Sequence, residues 1–257
     1  MLEFKKPLLQ MDNVTLLWRF IREPFVVLVL VLISNSAFAA PFYVPSGSMQ
    51  PTIAIGDYIF ASKFDYGYSR YSLPFALGPS SSTRLLEKTP ARGDVVVFRL
   101  PRNPSISYVK RVIGLPGDHI QMREGLLYIN GQAVPIKAAG NGNDEMGDGN
   151  MADAARYSET LPGGVTHPIY KLRWDGTYDN TDEFVVPAGH LFMMGDNRDD
   201  SSDSRVAVED GGVGFVPMEN LVGHARIIVG SYDFLNAKSI KTWLGQVRLS
   251  RFFHGIN

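Results

Sequence analysis

The chain has 257 residues, 45% of them hydrophobic, enough for one large domain or two modest ones with a core. Its 25 Lys and Arg against 26 Asp and Glu give a formal net charge of -1 without a long basic run, which argues against a nucleic-acid partner. Cysteine is absent, so disulfides, thiol nucleophiles and thiolate metal sites are excluded, while the compartment stays open.

The first segment, residues 1–23, carries Lys5, Lys6, Arg19 and Arg22. An apolar run follows from Pro24 through Phe25-Val-Val-Leu-Val-Leu-Val-Leu-Ile33, pauses at Ser34-Asn-Ser36 and resumes to Val44. A helix needs ~20 apolar residues to span a bilayer, and the preceding basic residues predict a cytoplasmic N-terminus. On this reading residues 24–43 are a transmembrane anchor and 44–257 lie on the extracytoplasmic side. The same residues also suit a cleaved signal peptide, with Ala37-Phe38-Ala39 before a cut at Ala40. Local sequence does not separate the two.

Beyond Val44 the pattern is strand-like. Strands are predicted at Asp57 to Lys63, Asp94 to Arg99, Ile106 to Ile113, His119 to Met122, Leu126 to Ile129, Phe184 to Val186, His190 to Met194 and Ala225 to Tyr232. Turn signals such as Pro116-Gly117 and Asn130-Gly131 separate several of them. Residues 138–155 are rich in Gly, Asn, Asp and Ala and read as a long mobile loop. The tail from Lys238 to Phe253 reads as a short amphipathic surface helix bearing Lys238, Lys241, Arg248 and Arg251.

Metal chemistry finds no support. The five His are scattered with no HExxH spacing and read as surface or half-buried residues. The acidic run from Asp196 puts Arg198 and Ser201 where a calcium loop wants an oxygen ligand and Gly. No cofactor is expected. No Ser occupies a G-x-S-x-G elbow. In Pro45-Ser-Gly-Ser-Met-Gln-Pro-Thr52, small hydroxyls at Ser46 and Ser48 flank a turn-forming Gly47. On composition alone this is a linker. In Tyr108-Val-Lys-Arg111, alternation puts Ile106, Tyr108, Lys110 and Val112 on one face and Arg111 on the other. A strand Lys commonly snorkels to water. Kept dry, its pKa falls and its neutral amine can serve as a base for a serine hydroxyl. Gly195 to Arg205 is dense in groups able to form an ion-pair shell, notably Asp196, Arg198, Ser201, Asp203 and Arg205.

Together these segments, with Arg92-Gly-Asp-Val-Val-Val-Phe98 and Gly114-Leu-Pro-Gly-Asp118, resemble the type I signal peptidases in both content and order, over most of the chain from about Pro41. The resemblance implies a mainly β fold: a domain of several antiparallel sheets with an inserted β-rich subdomain at about 119–187, behind one N-terminal transmembrane helix. It implies a serine endopeptidase of the inner membrane that removes signal peptides from exported preproteins after Ala-x-Ala-like sites. Ser48 would be the nucleophile and Lys110 the base. Ser46 and the Ser48 N–H would form the oxyanion hole. Ser201 would orient the amine, and Asp203 with Arg205 would fix that loop. Val44, Met49, Ile53, Tyr108 and Val109 would line one pocket; Phe42, Ile59 and Val97 would help line the next. The alternatives are a processing peptidase of narrower substrate range, or a secreted β-rich binding protein cleaved after Ala39.

Overall fold

A computed structural model describes residues 13–37, 39–72, 84–145, 150–232 and 247–256. Helix α1 (Asn13–Ala37) runs through Pro24. The expected anchor stretch is therefore divided. Its last residues form strand β1 (Ala39–Tyr43), because Ala39 to Tyr43 pair with Ser62 to Tyr58. Among the described residues no helix is long and apolar enough to cross a membrane. The continuous apolar run Phe25 to Ile33 covers only about 14 Å at helical rise.

The remainder is mainly β, and every pairing between named strands is antiparallel. The main sheet joins β1, β2 (Asp57–Ser62), β3 (Val95–Leu100), β4 (Asn103–Gly114), β12 (His190–Met194), β13 (Val216–Pro217), β14 (Leu221–Ser231) and β15 (His254–Gly255). Between β4 and β12 the chain builds two further sheets. One contains β5 (His119–Arg123), β6 (Leu126–Ile129), β7 (Gln132–Ala133) and β11 (Phe184–Val185). The other contains β8 (Ile136–Glu145), β9 (Met151–Thr160) and β10 (Thr166–Lys171).

Strand β3 shows how local sequence sets the layers. Its run Val95-Val-Val-Phe98 is buried throughout, as an apolar run without alternation demands. Val95 and Val97 pack with Met49, Ile53, Ile59 and Ile228, whereas Val96 and Phe98 pack with Tyr66, Val112, Leu191 and Leu221. One strand thus serves two cores, and Phe98→Ala would cost about 3–5 kcal/mol. A third core, around Ile113, Ile120, Leu127 and Phe192, holds the β5–β6 sheet against the main one.

Where residues 138–155 are described, the expected loop is instead two long paired strands, and residues 146–149 lie outside the described residues. Strand β8 pairs with β9 from Ile136↔Glu159 to Glu145↔Met151. Gly, Asn and Ala disguise it, because its exposed residues need no apolar face. Of the expected tail helix, residues 238–246 lie outside the described residues. From Val247 onward the tail is not α-helical: Val247 bridges Tyr232, and β15 pairs with β14. Its two arginines do not point idly to water. Arg251 donates to the buried Asp57 carboxylate at 2.6 Å and to Thr52 O at 3.1 Å, while Arg248 donates to Ser231 Oγ at 2.8 Å.

Candidate active site

The sheet brings Ser48 and Lys110 together. Ser48 sits in a one-turn 3-10 segment, Gly47–Met49, closed by Gln50 N–H donating to Gly47 O at 2.8 Å. Met49 and Ile53 anchor that segment in the core with no exposed surface. Lys110 lies in β4 opposite Val96, and its Nζ is 2.5 Å from Ser48 Oγ. Ser46 Oγ lies 3.2 Å from the same oxygen. Lys110 is 3% exposed, and burial lowers its pKa to about 8. The carboxylates of Asp203, Asp196 and Asp200 hold it from falling further, while Arg205 pushes it down. At pH 7 about a tenth of the amine is neutral, against under about 0.1% for an ordinary lysine.

The loop after β12 closes over this pair. Asn197 N–H donates to Ser48 O at 3.2 Å, and its Nδ2 reaches Gly47 O at 3.4 Å. Gly195 permits the approach: a Cβ there would fall 2.3 Å from Ser201 Oγ and 2.4 Å from Ser48 O. Arg205 grips Asp203 through Nε and Nη2, each at 2.9 Å, and donates to Arg198 O at 2.7 Å. Burial raises the Asp203 carboxyl, but the Arg205 guanidinium, the Gly195 N–H and Ser201 together hold it below its usual range. One expected contact is not made. Ser201 Oγ is buried beside the Asp203 carboxylate, and among the described residues it makes no hydrogen bond to Lys110.

Behind Ser48 and Lys110 lies a buried ionic layer. Arg111, on the opposite face of β4 from Lys110, holds Asp196 by Nε–Oδ1 at 2.8 Å and Nη2–Oδ2 at 2.7 Å, and Thr52 Oγ1 also donates to that carboxylate. Arg198 grips Glu159 of β9 in the same two-pronged way. His167 lies between the pairs, Nε2 3.4 Å from Glu159 and 3.8 Å from Asp196. The expectation of surface or half-buried histidines fails for His167, which is 1% exposed. Burial pushes its pKa down to about 4, so it is neutral at pH 7. Arg111 was legible only as the charged neighbour of Lys110 on an otherwise apolar strand.

A cleft of about 400 Å³ opens in front of Ser48 and Lys110. Phe42, Val44, Ile59, Val97, Tyr108 and Val109 line it. Met49 and Ile53 do not, being buried in the core beneath. Asp200 and Ser202 also line it; sequence reading had missed both. Among the described residues no cluster of His, Cys, Asp or Glu could hold a metal ion.

The family model described as Signal peptidase, peptidase S26 matches residues 17–230. The chain belongs to the type I signal peptidases. The signal peptidase I of Rickettsia canadensis (strain McKiel) is 40% identical to this peptidase over 251 residues, covering 90% of each chain. That of Rickettsia conorii (strain ATCC VR-613 / Malish 7) is 39% identical over 249 residues, again covering 90% of each. A crystal structure of a signal peptidase I from Enterococcus faecalis V583 is 28% identical and covers 53% of this peptidase and 97% of that chain, with a TM-score of 0.31.

Proposed function

We propose that this peptidase removes signal peptides from exported preproteins, with Ser48 as nucleophile and Lys110 as general base. The contact that carries the reading is the 2.5 Å approach of a dry lysine amine to a serine hydroxyl at the mouth of an apolar cleft. Neutral Lys110 takes the Ser48 proton as Ser48 attacks the scissile carbonyl. Ser46 Oγ–H and the Ser48 N–H stabilise the oxyanion, each such donor contributing roughly 3–4 kcal/mol in serine hydrolases. The ammonium then protonates the leaving amine. A water molecule, activated by the same base, releases the acyl-enzyme. The cleft walls from Phe42, Val44, Ile59, Val97 and Val109 favour small apolar residues before the cut, and the extended substrate pairs along a strand edge. Asp203 and Arg205 hold the loop behind the amine.

Residues 44–257 act as the extracytoplasmic catalytic unit, with about 119–187 as its insert, and α1 ties that unit to the inner membrane. Phe25, Val26, Val27, Leu28 and Val31 of α1 are 47–62% exposed, an apolar surface that water does not favour. Ala39 and Ala40, on either side of the cut that a cleaved-leader reading needs, are paired with Ser62 and Ala61 in β1.

The test is cleavage of a purified preprotein bearing an Ala-x-Ala site. Ser48→Ala and Lys110→Ala should each abolish cleavage while the far-UV spectrum and Tm stay near wild type. Lys110→Arg should fail as well, because guanidinium does not release its proton. Full activity in any of the three overturns the assignment.

A further inference from the structure

The inserted hairpin β8–β9 reaches back to the nucleophile, and its last strand residues behave unlike the rest. Residues Lys137 to Asn141 and Asn143 are exposed, as expected for a hairpin standing away from the core. Burial then begins abruptly at Asp144, 0% exposed, and Glu145, 9% exposed. That is where β8 meets the Ser48 turn.

The contact is specific. Gln50, two residues after the nucleophile, is 5% exposed. Its Nε2 donates to Glu145 O at 3.2 Å, and its Oε1 accepts from Glu145 N–H at 3.2 Å. A side-chain amide thus pairs with the β8 backbone as a neighbouring strand would. Burying such an amide is tolerable only with its donor and acceptor satisfied, so the pairing fixes both partners. Gly47, immediately before Ser48, completes the fit: a Cβ there would stand 2.8 Å from Glu145 O and 3.4 Å from Asp144 Oδ1. On its other side the turn is held by Asn197. The Ser48 turn is therefore clasped between the catalytic loop and the hairpin end.

We propose that Gln50 is a positioning residue that holds Ser48 against Lys110 through the end of β8, making the hairpin a working part of the catalytic centre. The inference rests on Ser48 being the nucleophile. A misplacement of about 1 Å at a reacting atom can cost on the order of a hundredfold in rate, so a loosened turn is read in turnover and not in substrate affinity.

The experiment is a double-mutant cycle on the full chain, assayed by preprotein cleavage. One variant is Gln50→Met, which keeps volume and apolar contact but removes both hydrogen bonds. The other replaces residues 142–154 with Asn-Gly, closing the hairpin at the Asn141–Ala155 pair with a two-residue turn. Each should lower kcat about tenfold with KM within about twofold of wild type. The double variant should be no slower than about twofold below the slower single one, because both changes remove the same brace. Unchanged kcat in Gln50→Met, an effect confined to KM, or losses that multiply in the double variant would overturn the proposal. If the shortened chain does not fold, Gln50→Met and Gln50→Ala decide alone: a fall in Tm without a fall in kcat rejects positioning. Failure of the wild-type chain to cleave any preprotein counts against the functional reading, whereas wild-type cleavage with an indifferent Gln50 counts against the brace only.

Discussion

The proposed catalytic pair depends on a compromise at a single nitrogen. Burial in β4 pushes Lys110 towards the neutral form, and three carboxylates push it back, leaving it near pH 8. If Lys110 is the base, only its neutral form accepts the Ser48 proton, so kcat/KM should rise with pH through an inflection near 8 and fall about tenfold per unit on the acid side. Asp200 offers a way to check the cause. It lines the cleft and its own pKa is raised, first by burial, then by Asp144, against the pull of Lys110. Among the carboxylates that hold the Lys110 proton it is the one not locked into an arginine pair. Asp200→Asn removes a negative charge that favours the ammonium, so the acid limb should move to lower pH with the fold intact. A limb that stays in place or moves upward in a full pH–rate profile would show that Asp200 does not set the base.

At the scale of elements, the site is an assembly of β4, the Ser48 turn and the loop after β12, held by buried ion pairs. Arg111 and Asp196 join the strand carrying Lys110 to the loop that covers it, with side chains 0% and 1% exposed. Arg111→Leu leaves Asp196 charged and unpaired in a dry interior, which costs about 3–5 kcal/mol, whereas replacing both partners with apolar residues costs much less. The expected order in urea unfolding at pH 7.5 is therefore wild type, then Arg111→Leu/Asp196→Leu, then Arg111→Leu; a double variant weaker than the single one would refute the linkage. Strand β4 and this loop were legible because apolar alternation marked the first and charge density the second. Hairpin β8–β9 was not. From Lys137 to Asn143 β8 is largely exposed, so its pairing with β9 there is made by backbone hydrogen bonds that leave no hydrophobic period in the sequence. Met49 and Ile53 were misplaced for the opposite reason. Their apolar character announced burial, but not whether they faced the cleft or the core beneath it.

For the whole molecule the question is what α1 contributes, since Ser48, Lys110 and the cleft residues all follow it. The helix ends at Ala37, and β1 begins at Ala39 as an edge strand of the main sheet. A chain starting at Ala39 therefore keeps the pairing of β1 with β2, which shapes the cleft through Phe42 and Val44. It loses the exposed apolar side chains of α1. If α1 serves only to tether, the truncated protein should remain soluble without detergent and cleave a short soluble peptide at the wild-type kcat. On a preprotein inserted in phospholipid vesicles it should slow by at least about tenfold, because a shared membrane raises effective concentration and the free domain forgoes it. Two measurements separate the roles: vesicle co-sedimentation of both forms, and the ratio of their rates on soluble and inserted substrate. Equal co-sedimentation and an unchanged ratio would remove α1 from the account. Loss of peptide cleavage in a folded truncated protein would instead make the helix part of the site, with β1 depending on it for its position along Phe42 and Val44.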